Sequence, residues 1–158
     1  MELLSRVGGL VTSGIPLDGN TALVAEGSSL VQMHLSPAAS RVLDQVDLGH
    51  GIILDLTHAG PFFYALTEEG VVVLQARDGE MPEAVSFVPG TGQSLEAHGR
   101  LVVVAAREAG LRVIAVEPDG AIGSVALLPL DGQALDIDLS ADGRTAFVAG
   151  GGKGVALV

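Results

Sequence analysis

The sequence predicts an all-β fold made of four repeats of a four-stranded antiparallel sheet, and three observations carry that prediction. A phrase recurs: a glycine turn, a short apolar run and a second apolar run, as DGNTALVAEGSSLVQMHL (18–35), AGPFFYALTEEGVVVLQA (59–76), HGRLVVVAAREAGLRVIAV (98–116) and DGRTAFVAGGGKGVALV (142–158). The anchoring glycines Gly19, Gly60, Gly99 and Gly143 lie about forty residues apart, which in an all-strand sequence is the period of β-propeller blades. Composition agrees: 48% of residues are apolar but only 3% aromatic, and 22 glycines interrupt the chain, so the core is built from Val, Leu, Ile and Ala on short strands joined by tight turns.

The third repeat displays the four strands most plainly: QSLEAHG (93–99), RLVVVAA (100–106), GLRVIAV (110–116) and GAIGSVALL (120–128), termed a to d from the axis outward. The b strands align on Leu23, Tyr64, Val103 and Phe147, and the c strands on Gln32, Val73, Val113 and Leu157, with Met33, Leu74, Ile114 and Val158 on the alternate face. Apolar residues on both faces are expected where sheets stack on two sides. Helix is the competing reading of such short runs, but the close spacing of glycine and the β-branched content oppose it.

The repeats place blades at 9–48, 51–88, 93–128 and 134–158, with 2–7 completing the last. The segment ELLSRVGG (2–9) aligns with outer d strands, while the chain ends on the c strand GVALV. The first strand is therefore expected to pair with the last sheet and protect its edge. Within one chain this closure gives a four-bladed ring; exchanged between two chains it gives an eight-bladed homodimer.

The segment GLRVIAVEPDG (110–120) resembles an LVIVD-type repeat, and SADGRTAFVAGG (140–151) resembles the turn and strand of YVTN-type propeller repeats. The resemblance implies propeller blades and leaves function open, since such blades serve unrelated roles. The aspartate that closes the LVIVD motif is replaced here by His34, Gln75 and Ala115.

A formal charge of -11 argues against nucleic acid and anionic membranes as partners and favours cations or basic protein surfaces. The lack of cysteine excludes disulfides, thiolate metal sites and a cysteine nucleophile. No signal peptide and no membrane-length apolar segment is present, so the chain reads as soluble, cytoplasmic by default, or exported if it belongs to a longer chain.

Counting from the turn that follows each a strand aligns Asp55, Glu96 and Asp138 in one column, with Gly14 in the remaining repeat. Because a strands line the axis, these acids would form a ring able to hold Ca²⁺ or another divalent cation, or a basic side chain. His58 and His98 stand near the same turns and would add a metal ligand or general base at the mouth. DIDLSADG lacks the acid spacing of a calcium loop, and GGGKG lacks the Ser or Thr of a phosphate loop. With no catalytic set evident, the expected function is a non-enzymatic interaction or assembly scaffold; the alternative is a cation-binding protein or metal-dependent hydrolase with an acidic axial site.

Overall fold

Alternation of β-branched runs with glycine-bearing turns produces fifteen strands in the computed structural model, which describes residues 9–37, 39–76 and 80–158. They form four consecutive antiparallel sheets. The first blade contains β1 (Val11–Pro16), β2 (Thr21–Glu26), β3 (Ser29–His34) and β4 (Arg41–Asp47). The second contains β5 (Ile53–Ala59), β6 (Phe62–Thr67), β7 (Gly70–Gln75) and β8 (Glu83–Pro89), and the third β9 (Ser94–His98), β10 (Leu101–Ala105), β11 (Leu111–Val116) and β12 (Ile122–Leu128). The fourth contains β13 (Asp136–Leu139), β14 (Ala146–Ala149) and β15 (Val155–Leu157). The chain is thus an all-β propeller of four blades. Among the described residues the only helical piece is the 3₁₀ turn Gly151–Lys153, and no helix is long and apolar enough to cross a membrane.

The predicted b and c registers hold in all four sheets: Leu23 faces Gln32, Tyr64 faces Val73, Val103 faces Val113 and Phe147 faces Leu157. In the second and third blades the a-to-b hairpins have two-residue loops, between Ala59 and Phe62 and between His98 and Leu101. Gly60 and Gly99 open those loops at φ 61° and 60°, the positive value that primed hairpin turns require. In the first three blades the c–d pair is interrupted by a bulge, at the equivalent Gln32/Met33 and Val73/Leu74 in the first two and two residues further along, at Ala115/Val116, in the third. A bulge sharpens the local twist, which wedge-shaped blades need.

The core is a series of layers between blades. Leu23, Ala25 and Leu30 of the first blade meet Phe63, Ala65, Val72 and Leu74 of the second. Tyr64, Leu66, Val71 and Val73 meet Val102, Val104 and Ile114 of the third, and Val103, Ala105 and Leu111 meet Ile137, Ala146 and Val148 of the fourth. Every residue of β6 is buried because a blade covers each side, whereas β4 is exposed throughout.

The inner strands β1, β5, β9 and β13 pack in succession, but β1 and β13 do not pack on each other as their neighbours do. The described blades therefore form an arc. The fourth sheet has three strands among the described residues; the strand expected at 2–7 lies outside them.

Candidate functional site

The inner strands set the geometry of the axis. Taking the b-strand column as reference, Ile15 faces Leu23, Thr57 faces Tyr64, Glu96 faces Val103 and Asp138 faces Phe147. Two residues earlier on the same face come Ser13, Asp55, Ser94 and Asp136. The three acids expected in one column thus divide between two: Asp55 belongs with Asp136, and Glu96 with Asp138. Gly14 belongs to neither, lying opposite Val24 on the alternate face.

The expected alignment fails in the second blade, where Asp55 stands two residues farther from its turn than Glu96 does from the equal turn of the third. Two residues separate paired strand ends after β5 and β9, but Leu139 pairs with Ala146 across the six-residue segment 140–145. Thr57 and Glu96 each stand three residues before their turn glycines, Gly60 and Gly99, and so correspond, whereas Asp55 stands five before Gly60; Asp138 also stands five before Gly143, but the longer turn there brings it level with Glu96.

Each column carries hydrogen bonds from blade to blade. Ser13 Oγ donates to Asp55 Oδ1 at 3.1 Å and Ser94 Oγ donates to Asp55 Oδ2 at 3.2 Å. The backbone N–H groups of Leu56 and Leu95 donate to the same carboxylate at 2.9 and 3.1 Å. In the second column Thr57 Oγ1 donates to Glu96 Oε2 at 3.1 Å, and Ala97 N–H donates to the same oxygen at 2.9 Å. Asp55 and Glu96 therefore clasp adjacent inner strands, with their lone pairs directed at protein donors.

Asp136 and Asp138 are different. Both are exposed; Asp136 accepts only the N–H of Ile137, at 3.0 Å, and Asp138 accepts no hydrogen bond from the described residues. The described residues contain no group of three or more His, Asp or Glu side chains arranged to hold a metal ion.

The histidines do not join these acids. His58 stacks on Phe63, with ring centroids 5.6 Å apart, at the position that pairs with Phe63 in β6. His98 pairs with Leu101, one register step from the place that His58 occupies in its own blade, and packs over Gly143 of the next blade. There it lies near Asp142, whose carboxyl is held below its ordinary pKa chiefly by the Ser140 hydroxyl, then by the Arg144 N–H and more weakly by the charge of His98.

Sequence reasoning missed the serines and Thr57 that hold the axial acids, and it missed Arg112. The position that is Val31 and Val72 in the first two blades is Arg112 in the third. Its guanidinium is buried and donates to the carbonyls of Pro89 and Thr91 at 3.1 and 2.9 Å, tying β11 to the crossing from the preceding blade. The signal was the c-strand alignment itself, in which a single charge interrupts an apolar column.

A cleft of about 850 Å³ opens at the rim between the first and second blades, lined by Leu43, Asp44, Asp47, Glu80 and Met81 among others. It lies between outer strands and presents no paired nucleophile and base, so the axial acids remain the better candidate.

No family model and no curated relative matches the chain. Solved structures do. The chain is similar to a protein of Bacteroides uniformis ATCC 8492 described as a putative 6-phosphogluconolactonase, at 17% identity and TM-score 0.77, covering 88% of this chain and 47% of that one. A second protein so described, from Bacteroides fragilis NCTC 9343, matches at 17% identity and TM-score 0.70 over 89% of this chain and 47% of its own. The fold is a β-propeller. The computationally designed Ika4 protein matches at 11% identity and TM-score 0.68, over 99% of this chain and 94% of that one. The chain thus spans about half the length of the two Bacteroides structures. The expectation of a non-enzymatic scaffold is corrected by these neighbours: two natural proteins of this fold are described as putative 6-phosphogluconolactonases, which are enzymes.

Proposed function

We propose that this chain is part of a propeller hydrolase that opens lactones of neutral polyhydroxy acids at the axis, with Asp138 as the general base. The observation that carries the reading is the Asp138 carboxylate, exposed and accepting no hydrogen bond from the described residues, on an inner strand at the position that Glu96, engaged by Thr57, holds in the preceding blade. An exposed carboxylate with unused lone pairs can take a proton from water as that water attacks a carbonyl carbon. The tetrahedral adduct collapses by breaking the ring C–O bond, the alcohol oxygen recovers the proton, and a hydroxy acid leaves. Two neighbours described as lactonases support the reaction class.

Charge supports a neutral substrate. The inner strands β1, β5, β9 and β13 carry no Lys or Arg, and Asp55, Glu96, Asp136 and Asp138 all stand on them. A phosphate brought to this axis meets like charge with no compensating cation. Glucono-δ-lactone opening, followed with a pH indicator at neutral pH against the buffer rate, tests the proposal. The expected result is acceleration that falls about 10²-fold or more in Asp138→Asn, with the 6-phosphorylated lactone a poorer substrate. A rate equal to buffer, or one unaltered by Asp138→Asn, overturns it.

A further inference from the structure

The four blades stack by one rule. The residue pair Leu23/Gln32 of the first blade, Tyr64/Val73 of the second and Val103/Val113 of the third look forward, toward the next blade. The backward-looking set is Phe63, Ala65, Val72 and Leu74 in the second blade and Val102, Val104 and Ile114 in the third. In the fourth blade the forward pair is Phe147/Leu157, and nothing among the described residues covers it: Phe147 is 44% exposed and Leu157 68%, whereas Tyr64 and Val73 are both at 0%. Val155, on the same face, is 69% exposed. In the first blade the backward set is Ala22, Val24, Val31 and Met33, which cluster with one another and with no other described blade.

From this we infer that the Phe147–Leu157 face of the fourth blade docks on the Ala22–Val24–Met33 face of the first blade in a second copy of the chain, and that two such seams close an eight-bladed ring. The ends of one arc do not meet, since β1 and β13 do not pack together. A single chain also accounts for 47% of each of two related propellers, so two copies supply the length of one.

The axis supplies independent support for this occupant. Around the arc the first column reads Ser13, Asp55, Ser94, Asp136. If the next blade is the first blade of another copy, Asp136 gains Ser13 as its neighbour and the alternation of hydroxyl and carboxylate runs on unbroken through both seams. Within the second and third blades Val73 and Ile114 belong to one buried cluster; by equivalence Leu157 meets Met33 of the second copy. Such head-to-tail contacts close only if two arcs each span half a ring, which makes the predicted assembly a dimer and nothing larger.

Light scattering coupled to size exclusion on the 158-residue chain is expected to give twice the 16.0 kDa of one copy, and 16.0 kDa for Leu157→Asp. Because that variant could lose its fold, a second test uses the absence of native cysteine: Met33→Cys with Leu157→Cys is expected to form a reducible covalent dimer under oxidation, and neither single variant to do so. A 16.0 kDa species that retains a strand spectrum and a cooperative melt, or an assembly larger than a dimer, overturns the inference. Mass is read without turnover, so this proposal and the lactonase proposal fail separately.

Discussion

Ser94 of the third blade donates its hydroxyl hydrogen to Asp55 of the second across 3.2 Å, while Ser13 of the first blade reaches the other oxygen of the same carboxylate at 3.1 Å. One side chain thus joins three inner strands. The apolar layers between blades are non-directional and fix no axial register, whereas hydrogen bonds at these lengths do.

Removing that carboxylate leaves two hydroxyls and the Leu95 N–H without their acceptor in a half-buried setting. Asp55→Ala is expected to lower stability by about 3 kcal/mol, and Asp55→Asn by less because one oxygen still accepts. Urea denaturation reads both; an alanine loss below about 1 kcal/mol with unchanged slope would show that the clasp contributes little.

Arg112 offers a comparison between two replacements. The buried guanidinium satisfies two carbonyls with a planar fork, and burial holds its pKa below the usual arginine value. Arg112→Met keeps the stem volume and removes the buried charge, for an expected loss of about 1 kcal/mol. Arg112→Lys retains a charge but cannot serve both carbonyls in the fork geometry, and is expected to cost about 2–3 kcal/mol. If lysine proves the milder change in thermal or urea melts, the fork geometry is not what matters there.

Tyr64 is the chain's single tyrosine, fully buried, with a hydroxyl that finds no partner among the described residues, and burial pushes its phenol pKa up. The folded state therefore holds this proton more tightly than the unfolded state. Above about pH 10, where an unfolded tyrosine ionises, stability is expected to fall with rising pH, and below it the phenol contributes no pH dependence. Tyr64→Phe should remove that alkaline loss and raise stability at neutral pH by up to about 1 kcal/mol, since an unsatisfied hydroxyl disappears. With no tryptophan in the chain, tyrosinate absorbance reports this one group directly. Ionisation at the ordinary tyrosine pKa in folded protein would contradict the burial argument.

The sequence by itself determined the strands and much of their pairing. Leu23, Tyr64, Val103 and Phe147, with their c-strand partners, were legible because each stands four residues after its turn glycine, so the repeat itself aligns them. Glycine with positive φ at Gly60 and Gly99 fixed the turns that follow. The inner strands were not legible in the same way. Their axial face is mostly polar, so no apolar pattern pins it, and a shared acidic residue type drew Asp55 into the column that Thr57 occupies beside Glu96 and Asp138. Only the tertiary structure decided that Asp55 belongs with Ser13 and Ser94, that Arg112 bridges to the preceding blade, and that β1 and β13 stand apart. Each of these depends on how one sheet is rotated against the next, a quantity set by side-chain packing between repeats distant in sequence and not by the local pattern within any one of them.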